Sequence, residues 1–367
     1  MQSNILPRRQ FIKRALATAS LAVSGSLFTG KSLLNAAEPN TPGSQRLSIK
    51  QLQKWESLKY GMFLSFGMST FVQKELPDGS HKPTVYAPDK LDADQWVSVA
   101  RDAGMKYVVL TAKHVAGHCL WPSKHTDYTV ANSTNKTNVV EQLCKACEKR
   151  GVLPGLYYCS WDNHNRFGSR TRSDVSGGWD QNVHFPRSQK NLGPYTTSLY
   201  QSFQTAQVTE LLKDFGPIAE MWIDIPGELG HGYRTFLYNH IAKLQPQTVI
   251  MMNSGTPSYT QYNTVYAWPS DLVAIERGLP PKKKYQPWHT IEGKQYYMPG
   301  EVCDPIGHQW FWMPGDPPRP DAALAKQLEA CRDGNVNLLL NVPPDTHGLI
   351  PKEHVDALMR LRKNVRI

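Results

Sequence analysis

From about residue 60 onward, short apolar runs rich in β-branched and aromatic residues alternate with longer amphipathic stretches. The apolar runs have the length of buried strands, and the stretches between them are long enough for helices. Alternation of this kind is typical of parallel strands joined by crossover helices, because parallel neighbours need a long connection. The pattern therefore predicts an α/β fold built on a parallel sheet.

Eight strands and six clear helices can be placed on this pattern. The predicted strands are Met62–Phe66, Tyr107–Ala112, Leu153–Cys159, Ile218–Ile223, Thr248–Met252, a weaker one at Leu272–Ile275, Tyr296–Val302 and Val336–Val342. The predicted helices are Asp92–Ala103, Asn138–Arg150, Tyr200–Phe215, Arg234–Leu244, Asp321–Arg332 and Pro351–Arg362. Gly104, Gly151 and Gly216 follow three of these helices, where glycine caps are expected.

The strand count distinguishes between two parallel-sheet architectures. Eight strands close a (β/α)8 TIM-like barrel. An open doubly wound sheet is the alternative, but no G-x-G-x-x-G turn follows the first strand. We therefore expect one barrel domain. The irregular stretches 162–199 and 254–299 follow the third and fifth strands, and long loops in these places build the binding site of a barrel.

The N-terminus has the pattern of an export signal. Arg8-Arg9-Gln10-Phe11-Ile12-Lys13 precedes a weakly apolar run from Ala15 to Gly30, followed by Leu34-Asn35-Ala36-Ala37. Paired arginines, an apolar run and small residues are typical of a twin-arginine signal. The alternative, a membrane anchor or first helix, is disfavoured because a spanning helix needs roughly 20 apolar residues. We expect residues 1–36 to be this signal, and residues 37–367 to be periplasmic or extracellular without a stable membrane anchor.

Net charge gives little support for a nucleic-acid partner. The 367 residues include 41 Lys and Arg and 31 Asp and Glu, a formal charge of +10. Five of the basic residues lie in the first 36 residues, which contain no acid, so the rest of the chain carries +5 (+10 minus 5). No nucleic-acid-binding motif accompanies this modest excess. We therefore expect no nucleic-acid partner, and the sequence leaves the oligomeric state open.

The six cysteines are too few and too scattered for a disulfide framework in a chain of this length. Cys144 and Cys147 form a C-x-x-C pair inside a predicted helix, without a second Cys or His pair nearby. Zinc and redox sites need such a second pair or a different local context. We interpret both cysteines as ordinary packing residues and expect neither a metal nor an organic cofactor.

Polar residues that end the apolar runs are candidates for chemistry, because barrel sites form at the C-terminal ends of strands. Asp224 is the clearest: it ends Met221-Trp222-Ile223 and precedes a Pro-Gly break. It is either a partly desolvated carboxylate in the site or the cap of a loop or helix. The full set comprises Ser65, Lys113, His114, Ser160, Trp161, Asp162, Asp224, Asn253, Glu276, Arg277, Glu301 and Asn341.

Glu301 is a second notable acid, since it closes the aromatic run Tyr296-Tyr297-Met298-Pro299-Gly300. Two carboxylates that face one pocket are the minimum equipment for glycoside hydrolysis. One attacks the anomeric carbon, and the other, with a raised pKa, protonates the leaving oxygen. Whether Asp224 and Glu301 face each other is a spatial question that the residues alone leave open.

Six segments resemble the α-L-fucosidases of glycoside hydrolase family 29. They are Lys59-Tyr60-Gly61-Met62-Phe63, Tyr107-Val108-Val109-Leu110-Thr111-Ala112-Lys113-His114, Cys119-Leu120-Trp121-Pro122-Ser123-Lys124, Gly155-Leu156-Tyr157-Tyr158, Trp222-Ile223-Asp224 and Asn337-Leu338-Leu339-Leu340-Asn341-Val342. The similarity extends from about residue 55 to the end and implies a catalytic barrel with a retaining mechanism. Because the similarity covers the barrel, we expect the catalytic domain alone, without the β-sandwich that many members carry after it.

The resemblance also implies roles for particular residues. Asp224 corresponds to the nucleophile of the W-x-D segment, and Glu301 of Gly300-Glu301-Val302-Cys303 corresponds to the acid/base. The implied partner is an oligosaccharide or polysaccharide. Its expected binding residues are His114, Tyr157, Trp222, Ser65, Trp121, Arg277 and Trp310.

Departures from the family pattern concern the sugar pocket. The F-I-H-W-G segment has Ser65 in place of its histidine, and the K-H-H-D-G-F segment has Val115 in place of its second histidine. The glutamate-tryptophan loop after the first strand has no clear counterpart among Gln73 to Thr84. Losing partners for sugar hydroxyls costs about 1–3 kcal/mol each. We therefore expect an exo-acting enzyme with an altered −1 pocket, with His118 as a replacement group.

The expected substrate is a terminal α-L-fucose or a related or substituted L-sugar such as L-galactose. Two alternatives stay open. An endo-acting hydrolase of sulfated fucans is suggested by the basic run Pro281-Lys282-Lys283-Lys284, although such runs are usually solvated loops. A non-catalytic protein that binds fucosylated glycans is the other, but it would need neither a nucleophile nor a proton donor.

Overall fold

The computed structural model describes residues 42–165, 198–253, 262, 264–278 and 285–366. The predicted export signal lies outside these described residues, as do Lys282–Lys284 and most of the loop 162–199. The described residues all belong to one compact unit, Glu38–Ile367. Within them, every helix is too short or too polar to span a membrane.

Eight parallel strands form the central sheet, as the alternating pattern predicted. Their order is β5-β4-β3-β2-β1-β10-β9-β6. The strands are β1 Tyr60–Leu64, β2 Tyr107–Lys113, β3 Leu153–Cys159, β4 Glu220–Asp224, β5 Val249–Met252, β6 Val273–Glu276, β9 Gly300–Pro305 and β10 Asn337–Asn341, with β7 Trp288–Ile291 and β8 Lys294–Tyr297 in a separate antiparallel hairpin.

The predicted helices are confirmed to within a few residues at each end. The described helices are α1 Ile49–Glu56, α2 Met68–Val72, α3 Ala93–Asp102, α4 Val139–Arg150, α5 Ser198–Lys213, α6 His231–Leu244, α7 Thr264–Ala267, α8 Asp321–Gly334 and α9 Lys352–Asn364. Asp92 and Asn138 cap α3 and α4 by accepting from backbone N–H groups. Gly151 ends α4 in the left-handed conformation, as expected of a glycine cap.

Alternate residues of each strand contribute to two separate cores, because successive side chains point to opposite faces. Met62, Leu64 and Ile223 belong to the outer core, which packs beneath the helices. Phe63 and Trp222 belong to the inner core, which fills the barrel. The inward-pointing residues therefore determine which side chains lie at the two ends of the barrel interior.

The predicted strand Tyr296–Val302 is wrong, because it joins the end of one strand to the start of another. β8 ends at Tyr297 and β9 begins at Gly300. Met298 and Pro299 separate them, and proline is disfavoured inside a strand because it has no N–H to donate. Glu301 is consequently the second residue of its strand, whereas the predicted strand placed it next to the end.

The barrel closes between β5 and β6 through side chains as well as backbone; we call this contact the closing seam. The Asp271 N–H donates to the Ile250 carbonyl (2.8 Å), and the Ile250 N–H donates to Asp271 Oδ2 (2.8 Å). The Met252 N–H donates to Ser270 Oγ (3.0 Å). Arg46 and the Tyr238 hydroxyl also donate to the Asp271 carboxylate. The seam thus takes the place of a regular ladder at the two ends of the sheet.

Candidate active site

A cavity opens at the C-terminal ends of the strands, where the sequence predicted the site. Its lining brings together strand-end residues and residues of the following loops. They are Phe63, Ser65, Glu75, Leu76, Thr111, His114, Val115, Tyr157, Trp222, Asp224, Ile225, Asn253, Glu276, Cys303, Trp310 and Phe311. Five of the predicted binding residues line it, together with Asp224. Within the described part of the chain, no three His, Cys, Asp or Glu side chains are grouped to hold a metal.

Asp224 is the last residue of β4, and its carboxylate is fixed by two neighbours. The Tyr157 hydroxyl donates to Oδ2 at 2.5 Å, and Asn253 Nδ2 donates to Oδ1 at 2.8 Å. Burial raises the pKa of Asp224, and these two hydrogen bonds oppose that rise. The two hydrogen bonds therefore orient the carboxylate and favour its charged form against the effect of burial.

Glu276 is the last residue of β6 and lines the same cavity. Its carboxyl lies in hydrogen-bonding contact with the Asn253 side chain, so one amide contacts both acids. Burial and then the negative charge of Asp224 raise the pKa of Glu276 to about 7. A carboxyl with its pKa near neutrality still holds a proton on a substantial fraction of molecules at pH 7 and on most at lower pH, as a proton donor requires.

Both strands turn sharply directly after these acids. Ile225 follows Asp224 with φ 50°, and Arg277 follows Glu276 with φ 50°. The left-handed region is unfavourable for residues with a Cβ, above all for a β-branched one, and such residues cluster at functional sites. The turns release the chain from the sheet immediately beyond each carboxyl and leave the cavity open above them.

Glu75 is a third acid in the cavity, next to Leu76. It lies in the segment Gln73 to Thr84, where the sequence showed no clear counterpart of the family's glutamate-tryptophan loop. The structure identifies Glu75 as the acid that this segment contributes. Only its position after α2 could have suggested this, since no tryptophan stands next to it in the segment.

Aromatic rings form one wall of the cavity. Tyr157 stacks on Trp222, with ring centroids 5.4 Å apart and an interplanar angle of 23°. Phe63 packs against both rings and against Trp310. Flat aromatic faces of this kind suit the apolar face of a sugar ring.

His114 and Ser65 are the first residues after the C-terminal ends of β2 and β1. His114 stacks on Tyr157 and packs against Phe311. Burial, with the nearby Lys113 charge, lowers the pKa of His114 to about 3, so its imidazole is neutral. The Ser65 N–H donates to Asn341 Oδ1 at 3.2 Å, which places the short side chain at the cavity edge. Val115 also lines the cavity, so both replaced histidine positions face it.

Three residues expected near the sugar lie elsewhere. Trp121 is buried in the outer core and donates to Glu210 Oε2 (2.9 Å), because the loop after β2 folds back against α5. Arg277 is exposed; its guanidinium donates to the His308 carbonyl and lies 5.1 Å from the centre of the Trp310 ring. His118 contacts Ser133 Oγ at 2.8 Å and packs on Tyr86. It therefore does not replace a lost pocket histidine.

Glu301 lies at the opposite end of the barrel from Asp224. It pairs in register with Asn337, the first residue of β10, and its carboxylate accepts from Tyr107, the first residue of β2, at 2.6 Å. Glu276 is level with Cys303, two residues further along, or about 7 Å higher. Glu301 is only 1% exposed and is absent from the lining of the cavity. This location does not support the predicted acid/base role.

A parallel barrel with two carboxyls at its strand ends is the architecture of TIM-barrel glycoside hydrolases. The sequence profile described as alpha-L-fucosidase matches residues 80–366. Alpha-L-fucosidase 1 of Arabidopsis thaliana is 32% identical over 85% of this chain and 58% of its own length, and a relative from Oryza sativa is 31% identical over 94% and 65%. The chain belongs to the alpha-L-fucosidase family, glycoside hydrolase family 29.

A solved structure agrees with this assignment. The alpha-L-fucosidase isoenzyme 1 of Paenibacillus thiaminolyticus aligns with a TM-score of 0.69 and 25% identity, over 86% of this chain and 75% of that one. The chain spans about three fifths of the length of the curated relatives it matches. The predicted family and fold are thereby confirmed.

Proposed function

We propose that the protein is a retaining, exo-acting glycosidase that releases a terminal α-L-fucose or a closely related L-sugar. Asp224 is the nucleophile, and Glu276, rather than Glu301, is the acid/base. The observation that carries this proposal is the contact of Asn253 with both carboxyls in one cavity. Neither the endo-acting nor the non-catalytic alternative is supported by the relatives, which are named as alpha-L-fucosidases.

The spacing of the two carboxyls supports a retaining mechanism. One side-chain amide in contact with both groups favours a separation near the ~5–5.5 Å of retaining pairs over the ~6.5–9.5 Å of inverting pairs. An inverting enzyme would need room for a water between its carboxylate and the sugar.

The reaction then follows in two steps. An Asp224 oxygen attacks the anomeric carbon while the bond to the leaving oxygen breaks and Glu276 delivers its proton to that oxygen. In the second step, the Glu276 carboxylate takes a proton from a water that attacks the same carbon, which releases the sugar and restores Asp224. The hydrogen bonds from Tyr157 and Asn253 hold the Asp224 carboxylate in place between the steps.

The small residues in the cavity lining support a substrate sugar that is bulkier than fucose or carries an additional substituent. Ser65 and Val115 are smaller than the histidines expected in their places, and both line the cavity. Neither can supply the hydrogen bonds of an imidazole at the same reach. A hydroxyl or other substituent on the sugar would use the freed space and restore a partner for Ser65. We therefore include L-galactose and substituted fucose among the proposed sugars.

The first experiment measures hydrolysis of aryl α-L-fucosides and aryl α-L-galactosides. Asp224→Gly should lose turnover and regain it with azide, which takes the place of the missing carboxylate. Glu276→Gln should lose more activity on a poor leaving group than on an activated one, because only the poor one needs a proton. The exposed Glu329→Gln is the matched control.

Each role can fail separately. An unchanged rate for Asp224→Gly removes it from the nucleophile role, and equal losses of Glu276→Gln on all leaving groups remove Glu276 from the acid role. Turnover on aryl fucoside far above that on aryl galactoside would overturn the altered pocket while leaving the mechanism intact.

A further inference from the structure

Glu301 is buried at the N-terminal end of the barrel. Its polar neighbours Tyr107, Glu220 and Asn337 are each the first residue of a strand. The Tyr107 hydroxyl donates to Glu301 Oε2 at 2.6 Å, and the Trp222 indole N–H donates to Oε1 at 3.3 Å. A Cβ at Gly61 would lie 2.5 Å from the Tyr107 ring, so only glycine leaves that ring its place. The sequence thus makes room for the tyrosine that holds Glu301.

Glu220 and Glu301 form one buried carboxyl pair. Glu220 is 0% exposed, and within the described residues neither of its oxygens accepts a hydrogen bond from a hydroxyl, amide or cation. Its carboxyl faces that of Glu301, and burial together with the Glu301 charge raises the pKa of Glu220. Two buried carboxylates in contact repel, so a neutral Glu220 that donates its proton to Glu301 is the stable arrangement. Glu301 is then the charged member that both Tyr107 and Trp222 contact.

A short series of contacts connects this pair with the nucleophile. The Trp222 indole N–H donates to Glu301, and the Trp222 ring stacks on the Tyr157 ring with the centroids 5.4 Å apart. Tyr157 in turn donates to Asp224 Oδ2 at 2.5 Å. Trp222 is the inward-facing residue midway between Glu220 and Asp224 on β4. A change in the tilt of its indole ring would therefore shift Tyr157, and with it the Asp224 carboxylate.

We propose that Glu301 is a positioning residue that, paired with Glu220, holds the Trp222 ring and thereby orients Tyr157 and Asp224 for attack. This inference rests on the proposed function, because it takes Asp224 as the nucleophile. It also accounts for an acid in the W-E-x-C-like segment that lies too deep in the barrel to reach a substrate. In this role Glu301 accepts a hydrogen bond from the Trp222 indole N–H. An uncharged side-chain oxygen at the same distance would accept that hydrogen bond equally well.

The test compares two replacements at residue 301. Glu301→Gln keeps an oxygen that accepts from Trp222, whereas Glu301→Leu removes both acceptors. We expect Glu301→Leu to lower kcat about tenfold to a hundredfold with little change in KM, as the loss of one buried hydrogen bond implies. Glu301→Gln should retain kcat within about threefold of the wild type. The matched control is Glu56→Gln, a buried glutamate that accepts from Tyr297 and contacts neither Trp222 nor the cavity.

Leaving groups separate positioning from proton transfer. Glu301→Leu should lose the same factor on activated and on poor aryl leaving groups, since attack by Asp224 is impaired in both. A loss that grows with a poorer leaving group, or a Glu301→Gln as inactive as Glu301→Leu, would make Glu301 the proton donor and overturn the proposal.

A spectroscopic readout keeps the proposal testable if Glu301→Leu is unstable or if no glycoside is hydrolysed. The indole N–H resonance of Trp222, assigned by its absence in Trp222→Phe, should shift in Glu301→Gln and stay unchanged in Glu56→Gln. An unshifted resonance would overturn the positioning role. Absence of turnover in the wild type would instead overturn the proposed function, and the shift alone would then decide whether Glu301 holds Trp222.

Discussion

Asp224 and Glu276 share one cavity, yet their surroundings prepare them for opposite tasks. Asp224 accepts from Tyr157 and Asn253, which favour its charged form. Glu276 is raised in pKa by burial and by the Asp224 charge, to about 7. Retaining glycosidases need one carboxyl ionised and the other protonated at the same pH. The difference between the two environments therefore fits the roles proposed for Asp224 and Glu276 in the two steps of a retaining reaction.

The pH dependence of the reaction should reveal this difference. Because the first step needs protonated Glu276, kcat/KM should fall as the pH rises through about 7. It should also fall at acid pH as Asp224 takes up a proton. In Glu276→Gln the alkaline limb should vanish while the acid limb remains, as measured on an activated aryl glycoside between pH 4 and 9. An alkaline limb that survives in this variant would point to another acid.

At the same scale, the sequence placed both Asp224 and Glu276 among the strand-end candidates, but it assigned the acid/base role to Glu301 rather than to Glu276. Asp224 and Glu276 both end a short apolar run, so the signal for Glu276 was present. The similarity of Gly300-Glu301-Val302-Cys303 to a family segment outweighed it. Which end of a strand a residue occupies depends on where the strand begins, and Pro299 is the residue that should have marked that beginning.

At the scale of elements, the Asp271 carboxylate is a central contact of the closing seam, beside the Ser270 side chain and the backbone hydrogen bond. The Asp271 carboxylate accepts from the Ile250 N–H, Tyr238 and Arg46, and is 4% exposed. Its loss would leave the Ile250 N–H and the Tyr238 hydroxyl without this acceptor and Arg46 without its carboxylate, although Arg46 also donates to the Pro246 and Thr248 carbonyls. Stability should therefore depend more on this residue than on most ion pairs of the molecule.

Chemical denaturation can measure that dependence. Asp271→Ala should lower the free energy of unfolding by about 2–4 kcal/mol, because it leaves a buried N–H without this acceptor and a partly buried guanidinium without its carboxylate. The control is Asp102→Ala, which removes a surface pair with Arg101 whose side chains are 49% and 48% exposed, and should change the same quantity by less than about 1 kcal/mol. Equal effects of the two variants would show that the seam is held by the backbone alone.

Helices were predictable at this scale, and the β7–β8 hairpin was not. The helices carry caps such as Asp92, Asn138 and Gly151, which act within a few residues of the chain. The hairpin is held in part by distant residues: the Gly43 N–H donates to Gln295, and Glu56 accepts from Tyr297. Contacts between segments so far apart in sequence leave no local pattern, so β7 was not predicted and the end of β8 was joined to the start of β9 in one predicted strand.

At the scale of the whole molecule, the Glu220–Glu301 pair links stability to pH. Burial raises the pKa of both carboxyls, so the folded protein holds more protons than the unfolded chain above about pH 4.5. Stability from this pair is complete below that pH and is lost as the pH rises through the folded pKa values. Tyr107 and Trp222, which face the pair, are neutral donors and do not reverse the sign.

Thermal unfolding as a function of pH tests this linkage. The melting temperature of the wild type should fall between pH 6 and pH 9. Glu220→Gln provides a permanent donor to Glu301 without a second titrating group, so its melting temperature should fall less over that range. The exposed Glu329→Gln should follow the wild type. Identical slopes for wild type and Glu220→Gln would show that the pair is not the source of the dependence.

Export of the folded chain is the second prediction at this scale. If residues 1–36 are a twin-arginine signal, Arg8→Lys together with Arg9→Lys should leave the protein in the cytoplasm of a bacterial host, because the pathway reads the arginine pair. Fractionation and immunoblotting measure the distribution, and Lys13→Arg, which leaves the pair intact, is the control. Unchanged export of the double variant would exclude this route.

The strand β4 carries Glu220 at one end and Asp224 at the other, about 13 Å apart, with Trp222 between them. All three face inward because they are separated by steps of two residues. Inserting or deleting one residue would move the side chains on one side of the change to the opposite face of the sheet. Glu220 and Asp224 would then no longer both point into the barrel. Selection can therefore diversify the sugar by exchanging loops and pocket side chains, whereas the length of β4 is fixed, and variant libraries should leave its register untouched.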